Sequence, residues 1–183
     1  MTRGAVMVAL ATAAALLSGC APAAPPAAEP PPTSSPPIFA SDEEALAAAE
    51  AAYAEYLAVS DFVLSGGGSD TDSLREVATG AALTGELETA RSFASNGYRS
   101  IGISKFDALS VQSVEDVTRG ALVTVYLCSD VSGVDVVDAD GNSVISAGRQ
   151  DRIPLEVGLL SSEEDASRLL VSRSKVWSGA DFC

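Results

Sequence analysis

Leu122-Val123-Thr124-Val125-Tyr126-Leu127 is the stretch on which the fold turns. It carries no charge, no proline and no glycine, and its β-branched and aromatic side chains suit a pleated surface. A short uninterrupted apolar run of this kind predicts a central strand with both faces covered, within Ala121 to Ser129. Further segments of the same character surround it: Tyr98 to Ser104 and Phe106 to Val114 before, and Arg152 to Leu160 and Arg168 to Trp177 after. Val134 to Asp138 and Ser143 to Ser146 flank Ala139-Asp140-Gly141-Asn142, which predicts a hairpin turn.

Upstream of Gly97 the period changes from two to about 3.6. Ser41-Asp42-Glu43-Glu44 predicts a capping box in which the Ser41 hydroxyl accepts from the Glu44 amide and the Glu44 carboxylate reaches back to the Ser41 amide. Three acidic residues there also suit the positive end of the helix dipole. Leu46, Ala49, Tyr53, Tyr56, Leu57, Val63 and Leu64 then form one apolar stripe, ended by Gly66-Gly67-Gly68. That glycine run lacks the Lys-Ser/Thr pair of a phosphate-binding loop and reads as a turn. Asp70 or Asp72 is expected to cap a short helix through Leu74 and Val77. A third helix, with Leu83, Leu87, Ala90 and Ala94 in register, should end at Asn96-Gly97 through a left-handed cap. Helices followed by a strand meander define an α+β class: three N-terminal helices on an antiparallel sheet of about six strands.

The N-terminus has a different purpose. Arg3 precedes a mostly apolar run from Ala5 to Leu17, too short for a membrane span of about twenty residues but fitting a signal peptide. Leu17-Ser18-Gly19-Cys20 resembles the lipobox of bacterial lipoproteins, in which small side chains flank the cleaved bond and the cysteine thiol takes up diacylglycerol. The resemblance implies a signal peptide at 1–19, without a twin arginine, and a lipidated Cys20. Eight prolines between Pro22 and Pro37 then predict an extended, disordered tether over 20–40, because proline fixes φ and has no amide hydrogen. The folded domain is expected over 41–183, enough for one core. It is placed outside the cell, lipid-anchored to the cytoplasmic membrane.

Composition narrows the function. The formal charge is −14, from 25 acidic and 11 basic residues, a balance that repels nucleic acid and anionic lipid headgroups. Histidine is absent, removing the usual metal ligand and neutral-pH base. No metal or cofactor is expected. Asp135, Asp138 and Asp140 before Gly141 fail as a calcium loop, since Val136 and Ala147 occupy ligand positions. With Cys20 assigned to lipid, Cys128 and Cys183 remain as an even pair in an exported chain, which predicts a disulfide pinning the C-terminus to the central strand. A redox pair is disfavoured because such cysteines usually stand close together in sequence.

Several local strings, within residues 42–183, carry a family resemblance. They are Ala52-Tyr53-Ala54-Glu55-Tyr56-Leu57, Val125-Tyr126-Leu127-Cys128-Ser129-Asp130-Val131-Ser132, Asp138-Ala139-Asp140-Gly141, Val176-Trp177-Ser178-Gly179 and Asp181-Phe182-Cys183. With the element order, they resemble the nuclear transport factor 2-like fold of actinobacterial exported lipoproteins of uncharacterised function. The resemblance implies a strongly curved sheet wrapped around the first and third helices to form a cone. In fold relatives that cone holds small hydrophobic ligands, while others only bind or dimerise. Tyr53, Tyr56, Leu57, Phe93, Tyr126 and Trp177 are the residues expected to line it.

The candidate chemistry is sparse. Tyr53, Tyr56 and Tyr126 are able to polarise a carbonyl inside a cone, although the ordinary reading makes them core residues whose hydroxyls reach an edge. Asp61 reads as an exposed acid near a helix end rather than a buried base. Trp177 and Phe182 with Arg149 and Arg152 form either an interaction patch or a core cover, and the sequence leaves both open. Without a base or an activated nucleophile, the expected function is a non-enzymatic envelope module. It would bind a small apolar ligand or another envelope protein such as a cell-wall enzyme, with a cone-site acid/base enzyme as the alternative.

Overall fold

Strand β3 (Gly120–Asp130) lies inside a four-stranded antiparallel sheet in a computed structural model that describes residues 37–183. The expected signal peptide, the expected lipidation site Cys20 and the expected tether up to residue 36 lie outside the described residues. The sheet runs in the order β2 (Lys105–Val117), β3, β5 (Arg152–Ser161), β6 (Leu169–Val176). Ala121, Val123, Val125 and Leu127 of β3 are all fully buried against the helices. Each such valine or leucine is worth about 1.5–3 kcal/mol relative to exposure. The opposite side of the strand is covered in part as well, with Thr124 and Cys128 buried, so the expected two-faced central strand is present.

The main sheet does not take in every strand. β1 (Arg99–Ile101) and β4 (Asp135–Val137) form a separate two-stranded sheet. Gly102 breaks the path between β1 and β2. Its φ of 99° suits glycine, and a Cβ there would run into the carbonyl of Gly133. The strand expected over Ser143 to Ser146 reduces to a single bridge between Val137 and Ser143. The turn before it is present: the Asp138 amide donates to the Asn142 carbonyl, and the Asp138 carboxylate accepts from the amides of Asp140 and Asn142. Those hydrogen bonds hold the Asp138 carboxyl below the usual carboxylate range.

Helix α1 (Asp42–Ser65) buries Ala45, Ala49, Tyr53, Tyr56, Ser60 and Val63, one face at three- and four-residue spacing. The Ser41 hydroxyl accepts from the Glu44 amide at 3.3 Å. The Glu44 carboxylate reaches past Ser41 to the Ala40 amide at 2.7 Å, because the chain before the cap already turns inward. Phe39 is buried in the core and Ile38 packs against it, so packing starts a little before the Ser41 boundary.

α1 ends in the glycine run. Gly68 has a φ of 80°, its amide donates to the Val63 carbonyl, and a Cβ there would strike the backbone of Ala90. Glycine is therefore required where α1 crosses the third helix.

The short helix α2 (Leu74–Val77) follows a 3-10 turn at Thr71–Ser73. Neither aspartate caps it in the expected way. Asp70 adopts a left-handed backbone with no side-chain cap, and its carbonyl instead accepts from the Ser73 hydroxyl. Helix α3 (Gly80–Asn96) ends as expected at Gly97, in the left-handed region with φ 68°. Ala82 and Ala90 are its buried residues, whereas Ala94, expected in register, is exposed. α1 and α3 both pack against β6, and the link between α2 and α3 is tied to that strand by the Thr79 amide donating to the Val171 carbonyl.

Candidate functional site

The residues expected to share one pocket divide among separate places. Tyr53 and Tyr56 lie in the helix–sheet core, 2% and 7% exposed. The Tyr53 ring meets Phe106 edge-on with centroids 5.0 Å apart. Leu57, one residue on, faces outward into a surface groove. Phe93 sits near the end of α3, edge-on to Tyr98. Tyr126 and Trp177 are on the far side of the sheet, with ring centroids 4.5 Å apart, and Phe182 stacks on Tyr126. Strand parity explains the split: Val125 and Leu127 point to the helices, so Tyr126 must point away.

The core network is self-contained. Tyr56 donates to Glu86 Oε1 at 2.5 Å, and Ser60 donates to Glu86 Oε2 at 2.8 Å. Burial first, and the neighbouring Glu86 carboxylate second, push both the Tyr53 and Tyr56 phenols well above the ordinary tyrosine range; the hydrogen bond to Glu86 adds to this for Tyr56. A phenol held protonated against a carboxylate that is already engaged on both oxygens stiffens the α1–α3 contact. The described residues leave no buried side-chain nitrogen or oxygen without a partner. The interior between helices and sheet is filled by side chains.

On the far side, the C-terminal segment crosses the sheet. The Trp177 amide donates to the Pro154 carbonyl, and Arg152 donates to the Cys183 carbonyl. The sulfurs of Cys128 and Cys183 stand at bonding distance, with Cα atoms 5.5 Å apart. Cys128 is fully buried. Arg152 also grips Asp107 with both terminal nitrogens, which holds the Asp107 carboxyl below its usual range. Arg149 is elsewhere, fixing the loop after β3 through the carbonyls of Val131 and Val134. Trp177 and Phe182 thus join Arg152 but not Arg149.

Two adjoining cavities lie along the outer face of α1. The first, about 350 Å³, is lined by Ala54, Leu57, Ala58 and Asp61 from α1, by Ile103 and Ser104 just before β2, and by Lys105 and Phe106 at its start. The second, about 790 Å³, shares Ala54 and Phe106 and extends past Ala51, Ala47 and Leu46. Asp61 closes one end by accepting from the Ser104 amide at 2.8 Å and the Ser104 hydroxyl at 2.7 Å. It is neither a free surface acid nor a buried base, but a clamp between α1 and β2. Neither Tyr56 nor Glu86 lines either cavity, since the network occupies the opposite side of α1. Sequence reasoning missed this groove, although Ala47, Ala51, Ala54 and Ala58 recur at helical spacing on the side away from the tyrosines.

Among the described residues, no helix is long and apolar enough to cross a membrane, and no group of three or more His, Cys, Asp or Glu residues stands ready to hold a metal. Fold and groove together define an α+β domain with helices packed on an antiparallel sheet. No family model and no curated protein sequence matches the chain. Among solved structures, the intermembrane space region of the chloroplast protein ARC6 is similar, with a TM-score of 0.51 at 17% identity, over 73% of this chain and 97% of that one. That likeness concerns the fold alone.

Proposed function

We propose that this chain is a lipoprotein of the bacterial cell envelope, anchored by diacylglycerol on Cys20 to the outer face of the cytoplasmic membrane. Its domain, of the nuclear transport factor 2-like kind, acts as a non-enzymatic interaction module. The observation that carries the non-enzymatic reading is the filled interior: Tyr53 and Tyr56 are consumed by packing and by Glu86, and the space available to a partner lies outside, along α1 and β2. The lipobox-like string and the proline-rich segment support the anchor. The Cys128–Cys183 pair, formed as a disulfide, suits an oxidising compartment.

Mass analysis of the protein from its producing cell tests the anchor. A mature chain starting at residue 20 and carrying a diacylglycerol is expected, with Cys20→Ala abolishing the modification and releasing the protein from membranes. An unmodified residue 20 in the native chain overturns it.

A further inference from the structure

We infer that the groove between α1 and β2 is a docking site for an extended, apolar and basic peptide segment of a partner protein, which deepens the interaction-module reading and rests on it. The groove is lined on one side by seven consecutive residues, Ile103 to Leu109, divided between the two cavities. A sheet face would contribute alternate residues, so consecutive ones mean that the groove follows the edge of the strand. β2 ends the sheet order, and its outer edge has no neighbouring strand among the described residues. Apart from the Ser104 N–H, which Asp61 takes, alternate backbone N–H and C=O groups there are open to an added strand. The register break after Asp107, where Ala108 takes a φ of 53°, limits such pairing to a few residues.

The other wall is α1, where Ala47, Ala51, Ala54 and Ala58 are all exposed and keep the helix surface low. From Leu46 to Asp61 the wall runs for about 22 Å, the length of roughly six or seven extended residues. Ile103, 69% exposed, and Phe106 supply apolar contact.

Charge selects the occupant. Of the acids lining the groove, Asp107 is already paired with Arg152, which leaves Glu50 and Asp61 against Lys105 alone, and Ser104 gives Asp61 hydrogen bonds but no neutralising charge. A second copy of this chain, at −14, is repelled, whereas a segment with lysine or arginine beside its apolar residues is attracted. An acyl chain would leave the strand edge unpaired.

Peptide display against the full mature chain bearing Cys20→Ser tests this. Enrichment of apolar sequences with lysine or arginine is expected. A synthetic copy of the selected peptide should perturb backbone amide resonances at 46–61 and 103–109. Ala54→Trp, which fills the groove, and Glu50→Lys, at an exposed position with no structural role, should each weaken that peptide by about tenfold, with Ser174→Ala unchanged. No enrichment, enrichment of acidic peptides, or resonance changes produced at the groove by dodecylphosphocholine but by no peptide would overturn the proposal. Selected peptides that perturb the Tyr126–Trp177 face instead would preserve the interaction module while removing the groove assignment. Neither result bears on lipidation of Cys20.

Discussion

Replacing Cys183 by serine cuts the link between the C-terminal segment and β3. The cysteines are separated by 55 positions, and closing a loop of that size removes roughly 14 cal/mol/K from the unfolded ensemble, or about 4 kcal/mol at 25 °C. A domain of this length shifts its Tm by about 2–4 °C per kcal/mol, so the variant should melt about 8–16 °C lower. Trp177 is the only tryptophan in the sequence and lies tilted against Tyr126 at the start of the tethered segment, so its emission reports the detachment directly. In Cys183→Ser the tryptophan signal should shift toward that of solvent-exposed indole at temperatures where far-UV circular dichroism is still native. The same separation should appear in the wild type under a strong reductant. If the variant and the oxidised wild type melt within about 2 °C of each other, the loop-closure account fails. Two free thiols in denatured, unreduced wild type would show that the pair is not bonded at all.

Other outcomes follow from the core and its turns. Because burial raises the phenol pKa of Tyr53 and Tyr56, the native state keeps protons that the unfolded chain gives up above about pH 10. That stabilisation is complete below the unfolded pKa and declines as pH rises above it, by up to about 1.4 kcal/mol per pH unit for each phenol; denaturant titrations of the wild type against Tyr53→Phe/Tyr56→Phe should show the slope flattening in the double variant. Tyr56→Phe alone removes the donor to Glu86 and should cost about 1–3 kcal/mol at neutral pH, read by urea unfolding. Gly68→Ala forces a Cβ against Ala90 at a positive φ and should destabilise by about 1–3 kcal/mol or more, whereas Gly85→Ala, in open space within α3, should stabilise by about 0.5–1 kcal/mol.

The elements were legible where local chemistry and tertiary packing agree. Ser41 with Glu44 placed the start of α1, Gly66 to Gly68 its end, and Gly97 the end of α3, because caps and left-handed turns are set by a few adjacent residues. The cysteine pair was legible by parity of count once Cys20 was set aside. Sheet membership was not: β1 and the polar stretch after Asn142 read as further strands of one meander. The tertiary structure instead pairs β1 with β4 apart from the main sheet, with Gly102 closely approaching Gly133 at the break. The capping of α2 by an aspartate also failed, since Asp70 turned left-handed within a tighter 3-10 entry.

The candidate pocket failed for a related reason. Strand alternation already implied that Tyr126 points away from Val125 and Leu127, yet assigning it to the same cavity as Tyr53 required knowing which face the helices cover. Glu86 carried no local mark of importance. It acquires its role only because α3 crosses α1 beside Tyr56 and Ser60.

Local sequence alone therefore determined where the helices and the strands of the main sheet lie, the α+β class, the absence of histidine and the expectation that Cys128 pairs with Cys183. These follow from periodicity, capping and composition, which act over a few residues. Tertiary structure decided that the interior is filled, that the C-terminal segment covers the far side of the sheet, and that the accessible groove runs between α1 and the edge of β2. Such features depend on which faces meet across long stretches of chain, and side-chain spacing in one segment holds no record of its distant partner.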